Sequence, residues 1–267
     1  ELGIKTVVHN SSGNAGGSWA MYCVRAGINC VNLLAEDTLI SSLQQSSLAG
    51  AKTYIVNGHW KHAGGMVQRA ADEHGWFNCG TLKEPYRLEG KKTMGWEISE
   101  QLDWQVPDVV FYPTGGGVGA IGIFKAFDEI TALGWMNESK HNPRLVVTQF
   151  EGCAPLVKAF NEGKDETVTW EDMNVLPGGL KSPKPPGDKD VLRILHETEG
   201  SAVAVGSEES IEAAALLTRT EGIFPCPESA TTLAGLLRAL EDGSVKKNER
   251  IVLMITGSGL KSIPNFA

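Results

Sequence analysis

Three glycine-bearing turns in this chain have the residue types to hold an anionic ligand that also carries a ring nitrogen. The longest is Pro113-Thr114-Gly115-Gly116-Gly117-Val118-Gly119, between a strand-like apolar run and an apolar stretch of helical period. Glycines there let successive backbone N–H groups converge on an oxyanion, and a helix that starts at the turn adds the positive end of its dipole. A tight strand-to-helix turn can also need glycine simply for packing. Three glycines in succession exceed that need and point to phosphate. The loop has neither the Gly-Lys-Ser/Thr ending of a P-loop nor a spaced G-x-G-x-x-G. The second turn runs His9-Asn10-Ser11-Ser12-Gly13-Asn14-Ala15-Gly16-Gly17. Its Ser12 can cap a helix or touch a ligand, and the Asn14 amide both donates and accepts. The third, Thr256-Gly257-Ser258-Gly259, puts a hydroxyl at a strand end, where it can meet a ring nitrogen.

Other chemistries have less support. His59 and His62 stand at i and i+3 without a third ligand at a telling spacing, so no metal site is expected. Ser258 lies in T-G-S-G-L, which is not the G-x-S-x-G of a nucleophile elbow. Ser258 and Ser12 both follow strands, and remain the alternative nucleophiles of an esterase-like hydrolase.

The net charge of -8 offers no basic surface for nucleic acid or an anionic membrane. The five cysteines are odd in number and never spaced C-x-x-C, which suits a reducing cytoplasm. No apolar run reaches bilayer length, and Glu1-Leu2-Gly3 does not open a signal peptide.

The elements that position these turns alternate between Val/Ile-rich runs and helical periods, the pattern of a parallel α/β sheet covered on both faces. Strands are predicted at residues 5–9, 30–34, 52–56, 108–112, 145–150, 202–205 and 250–255. Helices are predicted at 14–26, 38–48, 62–74, 91–102, 118–133, 191–197, 208–221 and 229–241, with Ser207 as N-cap and Gly222 as stop of the seventh. Residues 175–189 are rich in Pro and Gly and read as a structured surface loop or a domain-edge connector. A boundary near residues 85–90 divides the chain into domains 1–88 and 89–267, with a cleft between them as the place for a ligand.

Four motifs occur in an order that carries a family resemblance: SSGNAG at 11–16, TGGGVG at 114–119, EGIFPCPESA at 221–230 and TGSGLK at 256–261. Together they resemble the fold-type II pyridoxal-phosphate (PLP) enzymes. PYRLEGKKT at 85–93 and FEGCAP at 150–155 make the chain most similar to threonine synthases. The resemblance implies two parallel-sheet domains of the tryptophan-synthase-β-like architecture. It gives Asn14 the cofactor's 3′-oxygen, Gly115, Gly116, Gly117, Val118 and Gly119 its phosphate, and Thr256 its pyridine nitrogen. Ser12 and Arg87 fall to an amino-acid substrate. It further implies a cytoplasmic, homo-oligomeric lyase of amino-acid biosynthesis.

Two departures qualify that expectation. The family's Schiff-base lysine lies in an S-F-K-x-R-like segment upstream of SSGN, and that segment is expected to precede residue 1. The first domain is therefore expected to be incomplete and the chain truncated, with PLP non-covalent or absent and little threonine made from O-phosphohomoserine. The polar residues that help hold a substrate phosphate before P-Y-R are replaced as well: Leu82 cannot donate a hydrogen bond and Glu84 repels an anion, while Arg87 remains. A dehydratase-like reaction stays open beside threonine formation.

Overall fold

The computed structural model describes residues 2–11, 13–57, 60–136 and 142–266. The chain forms two compact units: Glu1–Glu84 with Pro177–Gly179, and Pro85–Leu176 with Leu180–Ala267.

The first unit runs β1 (Thr6–Ser11), α1 (Asn14–Arg25), β2 (Asn29–Ala35), α2 (Ile40–Leu48), β3 (Lys52–Val56), α3 (Trp60–His74) and β4 (Phe77–Asn78). Its sheet is parallel, in the order β3-β2-β1-β4. Neighbouring residues of β1 serve opposite faces, as the two-residue period of a strand requires. Val8 packs with Val31, Leu33, Val56 and Val67, whereas Val7 packs with Ala20, Cys23, Cys30 and Cys79.

The second unit runs α4 (Tyr86–Gln101), β5 (Val109–Pro113), α5 (Val118–Ala132), β6 (Arg144–Phe150), α6 (Pro155–Asn161), α7 (Asp188–Glu197), β7 (Ser201–Val205), α8 (Ser207–Glu221), α9 (Pro227–Glu241) and β8 (Ile251–Leu253). Its sheet is again parallel, ordered β7-β6-β5-β8. Every residue of β5 is buried, and α5 is apolar nearly all round, so it lies inside the unit. Phe124 and Phe127 of α5 meet edge to face, and burying each contributes about 2–3 kcal/mol. Helix α4 crosses α5 closely because glycine stands at the contact. A Cβ on Gly95 would lie 2.6 Å from that of Ala126, and one on Gly122 would lie 2.9 Å from that of Lys91.

The α/β architecture and all seven expected strands are present, and some details differ. The two-residue β4 and the short α6 were not expected. Helix α4 starts at Tyr86, one turn before the predicted 91, because Gly90 inside it obscured the helical period. Gly206, not Ser207, is the N-cap of α8; its N–H donates to Glu209 Oε2 at 3.1 Å, and the helix stops at Gly222 in a left-handed conformation (φ 67°). The 175–189 segment is anchored by buried Pro183, Pro185, Gly187 and Asp188, and its end forms the first turn of α7.

Candidate functional site

In the second sheet the chain leaves β5 for β6 and β7 on one side, then returns to β8 on the other. Such a reversal opens a crevice beyond the carboxyl ends of the strands, where open α/β sheets receive ligands. The Gly115–Gly119 turn leaves β5 and the Thr256–Gly259 turn follows β8, so two predicted motifs flank that reversal.

The glycine turn is held from several sides. Thr114 N–H donates to Thr148 O at 3.0 Å, and Thr114 Oγ1 donates to Tyr112 O at 3.0 Å. Fully buried Gln149 donates from Nε2 to Thr114 O at 3.0 Å, while its Oε1 accepts from Leu156 N–H at 2.9 Å at the start of α6. Gly187 N–H donates to Gly116 O at 3.0 Å, which ties the 175–189 segment to the loop. Gly117 caps α5 in a left-handed conformation (φ 97°) that disfavours a side chain.

Gly119 is required for a different reason: a Cβ there would lie 1.7 Å from the buried Tyr112 hydroxyl oxygen. Burial pushes the Tyr112 phenol up to about 12, so it stays neutral. Among the described residues, none supplies an acceptor to the N–H groups of Gly115, Gly116, Gly117, Val118 or Gly119. Unsatisfied donors at a helix N-terminus suit a phosphate, so this turn fits that part of PLP.

Thr256 is exposed at the end of the β8 segment, and its Oγ1 lies 3.1 Å from Ser229 Oγ. Ser229 also accepts from Gly257 N–H at 2.9 Å and lies 3.1 Å from Cys226 Sγ. The sequence reading gave Ser229 no role; the only signal for it was its place within EGIFPCPESA. Ser258 is exposed and accepts from Leu260 N–H at 3.2 Å as the cap of a 3-10 turn. Among the described residues no imidazole or carboxylate is hydrogen-bonded to it. Arg87 is half-buried near the start of α4, on the same helical face as Lys91 four residues later. Burial, then the Arg87 charge, pushes Lys91 below the ordinary lysine range.

In the first unit the sheet reverses between β1 and β4, and the SSGN turn leaves β1. Ser12 and His59 lie outside the described residues, as does the His62 side chain. Asn14 is exposed as the first residue of α1. Gly13 is the N-cap of α1, and Ser11 Oγ accepts from Gly13 N–H at 2.9 Å and Gly16 N–H at 3.3 Å. Leu82 takes a positive φ of 57°, and Glu84 is buried. Among the described residues there is no cluster of three or more metal-binding side chains, and no helix is long and apolar enough to cross a membrane.

Comparison with known proteins agrees with this geometry. The family described as pyridoxal-phosphate dependent enzyme matches residues 1–257. Threonine synthase of Methanocaldococcus jannaschii is 36% identical over 262 residues, which cover 98% of this chain and 64% of that protein. The Mycobacterium tuberculosis threonine synthase is 30% identical over 97% of this chain and 69% of its own length. The chain thus spans just under two thirds of the archaeal relative.

Solved structures share the fold at lower identity. The processed form of threonine deaminase isoform 2 from Solanum lycopersicum matches with TM-score 0.79 and 19% identity over 98% of this chain and 73% of that one. Diaminopropionate ammonia lyase from Escherichia coli matches with TM-score 0.80 and 14% identity over 98% and 69%. The architecture is that of the fold-type II group, and the chain belongs to the family of pyridoxal-phosphate dependent enzymes.

Proposed function

We propose that this chain holds PLP at the carboxyl end of its second sheet and forms part of a threonine-synthase-like lyase. The enzyme would act by elimination or replacement on an amino acid with a leaving group beyond Cα. The observation that carries the reading is the β5–GGGVG–α5 turn, where unsatisfied N–H groups and left-handed Gly117 sit beside the reversal of strand order. PLP, when bound, supplies the electron sink that makes the substrate's Cα proton removable.

The chain's own residues do the holding. The N–H groups of Gly115, Gly116, Gly117, Val118 and Gly119 take the phosphate. Thr256 offers its hydroxyl to the ring nitrogen, and a neutral partner of this kind suits elimination and replacement better than transamination. Asn14 keeps the 3′-oxygen role that the resemblance gives it. Arg87 remains the clamp for a substrate carboxylate or phosphate, now with Lys91 beside it. The polypeptide of residues 1–267 is expected to bind the cofactor non-covalently.

The test is a titration with PLP followed by absorbance, repeated with inorganic phosphate as competitor. The unsubstituted chain is expected to bind, and Gly116→Asp to abolish binding through bulk and like charge. Equal affinity in the two would remove the site.

A cytoplasmic homo-oligomer is part of the same proposal. Its support is the apolar edge of the first unit, where Tyr54 and Ile55 of strand β3 are 57% and 51% exposed. A sheet edge of that kind pairs readily with another chain. Light scattering is expected to give a mass above one chain, shifted downward by Ile55→Lys. A strictly monomeric mass at high concentration rejects it.

A further inference from the structure

The turn after β8 is sewn to the start of α9. Cys226 N–H donates to Gly257 O and Gly259 N–H to Phe224 O, both at 2.9 Å. Gly257 allows this approach, since a Cβ there would stand 2.9 Å from Cys226 Sγ. Pro227 begins the helix directly after Cys226 and fixes its direction, so Ser229 in the first turn is carried to the centre of the junction. Its side chain is fully buried, with Gly257 N–H, Thr256 Oγ1 and Cys226 Sγ as its neighbours.

Counting protons orders this cluster. Ser229 has one proton and two lone pairs, and Gly257 N–H occupies one lone pair. Burial, then the negative charge of Glu228, pushes the Cys226 thiol up to about 11, so it keeps its proton at neutral pH. If that S–H goes to Ser229, both lone pairs are filled and the Ser229 proton must go to Thr256. If it goes to Glu228, with which the thiol is also hydrogen-bonded, either hydroxyl of the Ser229–Thr256 pair can be the donor. The first arrangement makes Thr256 Oγ1 the acceptor, with its own proton turned to the exposed side.

We propose that Ser229 is a positioning residue that fixes Thr256 as a hydrogen-bond donor toward an unprotonated ring nitrogen. The inference rests on the cofactor reading above. It assigns to the buried junction, rather than to Thr256 alone, the choice of the ring's protonation state. A hydroxyl free to turn can serve either a pyridine nitrogen or a pyridinium N–H. One whose acceptor side is occupied serves the first.

The experiment binds PLP labelled with ¹⁵N in the ring to the full chain and follows its nitrogen shift against pH. In the unsubstituted chain the nitrogen is expected to be unprotonated at neutral pH. Ser229→Ala is expected to weaken binding about 3–10-fold and to raise the pH at which the nitrogen loses its proton. Ser229→Thr, which retains the hydroxyl, restores both. In a Thr256→Val background Ser229→Ala changes affinity less than about 2-fold, because the partner is already gone.

A protonated nitrogen in the unsubstituted complex at neutral pH overturns the inference whether or not the variants fold. So does a Ser229→Ala complex with unchanged affinity and titration. No binding by the unsubstituted chain, or binding that Gly116→Asp leaves intact, is a different failure: it removes the cofactor reading, and this inference with it.

Discussion

The two units have the same strand order, with a central strand followed by two neighbours on one side and the last strand on the other. Each places a glycine-bearing turn after its central strand, yet the two turns are held by different means. After β5 the turn is fixed by buried side chains and backbone, through Tyr112 of β5 itself and through Gln149 and Gly187 of two other segments. After β1, Ser11 Oγ accepts from two N–H groups of its own turn, and Asn32 Nδ2 of β2 donates to Gly16 O at 2.9 Å. A cradle that must meet a phosphate with several N–H groups at once gains from rigidity, because donors fixed before binding lose less freedom on binding. The difference teaches that similar topology does not imply the same bracing: the second turn is tied through its backbone carbonyls to β6 and to the 175–189 segment, the first to a serine within it and an amide side chain of the neighbouring strand.

The largest test of that contrast is Gly119→Ala. Its Cβ would overlap the Tyr112 hydroxyl, and Tyr112 is a ring buried on a central strand. A destabilisation of about 3 kcal/mol is expected by urea unfolding, together with weakened phosphate binding. A smaller effect comes from Asp188→Asn. Asp188 Oδ2 accepts from Thr167 N–H at 2.9 Å, Thr167 Oγ1 at 2.6 Å and Lys184 Nζ at 2.7 Å, at the end of the segment that ties Gly187 to Gly116. Burial alone would raise the Asp188 pKa, but Lys184 and Thr167 outweigh it and hold it below the ordinary 3.8.

A carboxylate with a lowered folded pKa contributes stability above its unfolded value and loses it as pH falls through the folded one. The native chain is therefore expected to lose stability below pH 3.8 through this group, and Asp188→Asn to lack that slope while losing about 2 kcal/mol at neutral pH. Urea midpoints from pH 2 to 7 measure both, and an unchanged acid slope would show that Asp188 does not lock the segment.

Legibility in the sequence followed the same contrast. The second sheet was readable because β5 and β6 are near-continuous apolar runs followed by glycine, and α5 is apolar nearly all round. Four ordered motifs supplied the family, which composition and periodicity could not. The two-residue β4 carries no alternation to detect, and α6 is only seven residues beginning at Pro155. The Ser229 junction stayed hidden for a physical reason. Its partners Thr256 and Gly257 lie 27 and 28 residues away, and only folding brings their hydroxyl and amide together. The Lys91 shift was equally unreadable, since it needs the burial that comes from packing against Gly122.

The smallest expected effect is Gly17→Ala, the counterpart of Gly119→Ala in the first unit. A Cβ at 17 would stand 2.5 Å from Gln45 Oε1 and 2.7 Å from Gln45 Cδ, which on distance alone looks as forbidding as several contacts of the second unit. The obstructing atoms, however, are the far end of a long, half-buried side chain rather than a ring on a central strand. Turning Gln45 away gives up its contact with Met21 Sδ, a weak acceptor 2.9 Å from Nε2, together with its other interactions. Against that loss stands the gain from replacing glycine inside helix α1, about 1 kcal/mol. The two oppose each other, so Gly17→Ala is expected to cost less than about 1 kcal/mol, a bound set by the propensity gain and a rotamer change. Urea unfolding of the two alanine variants side by side measures the contrast directly. A loss at 17 approaching that at 119 would mean that Gln45 is held as firmly as Tyr112, and the contrast between a yielding neighbour and a fixed one would fail.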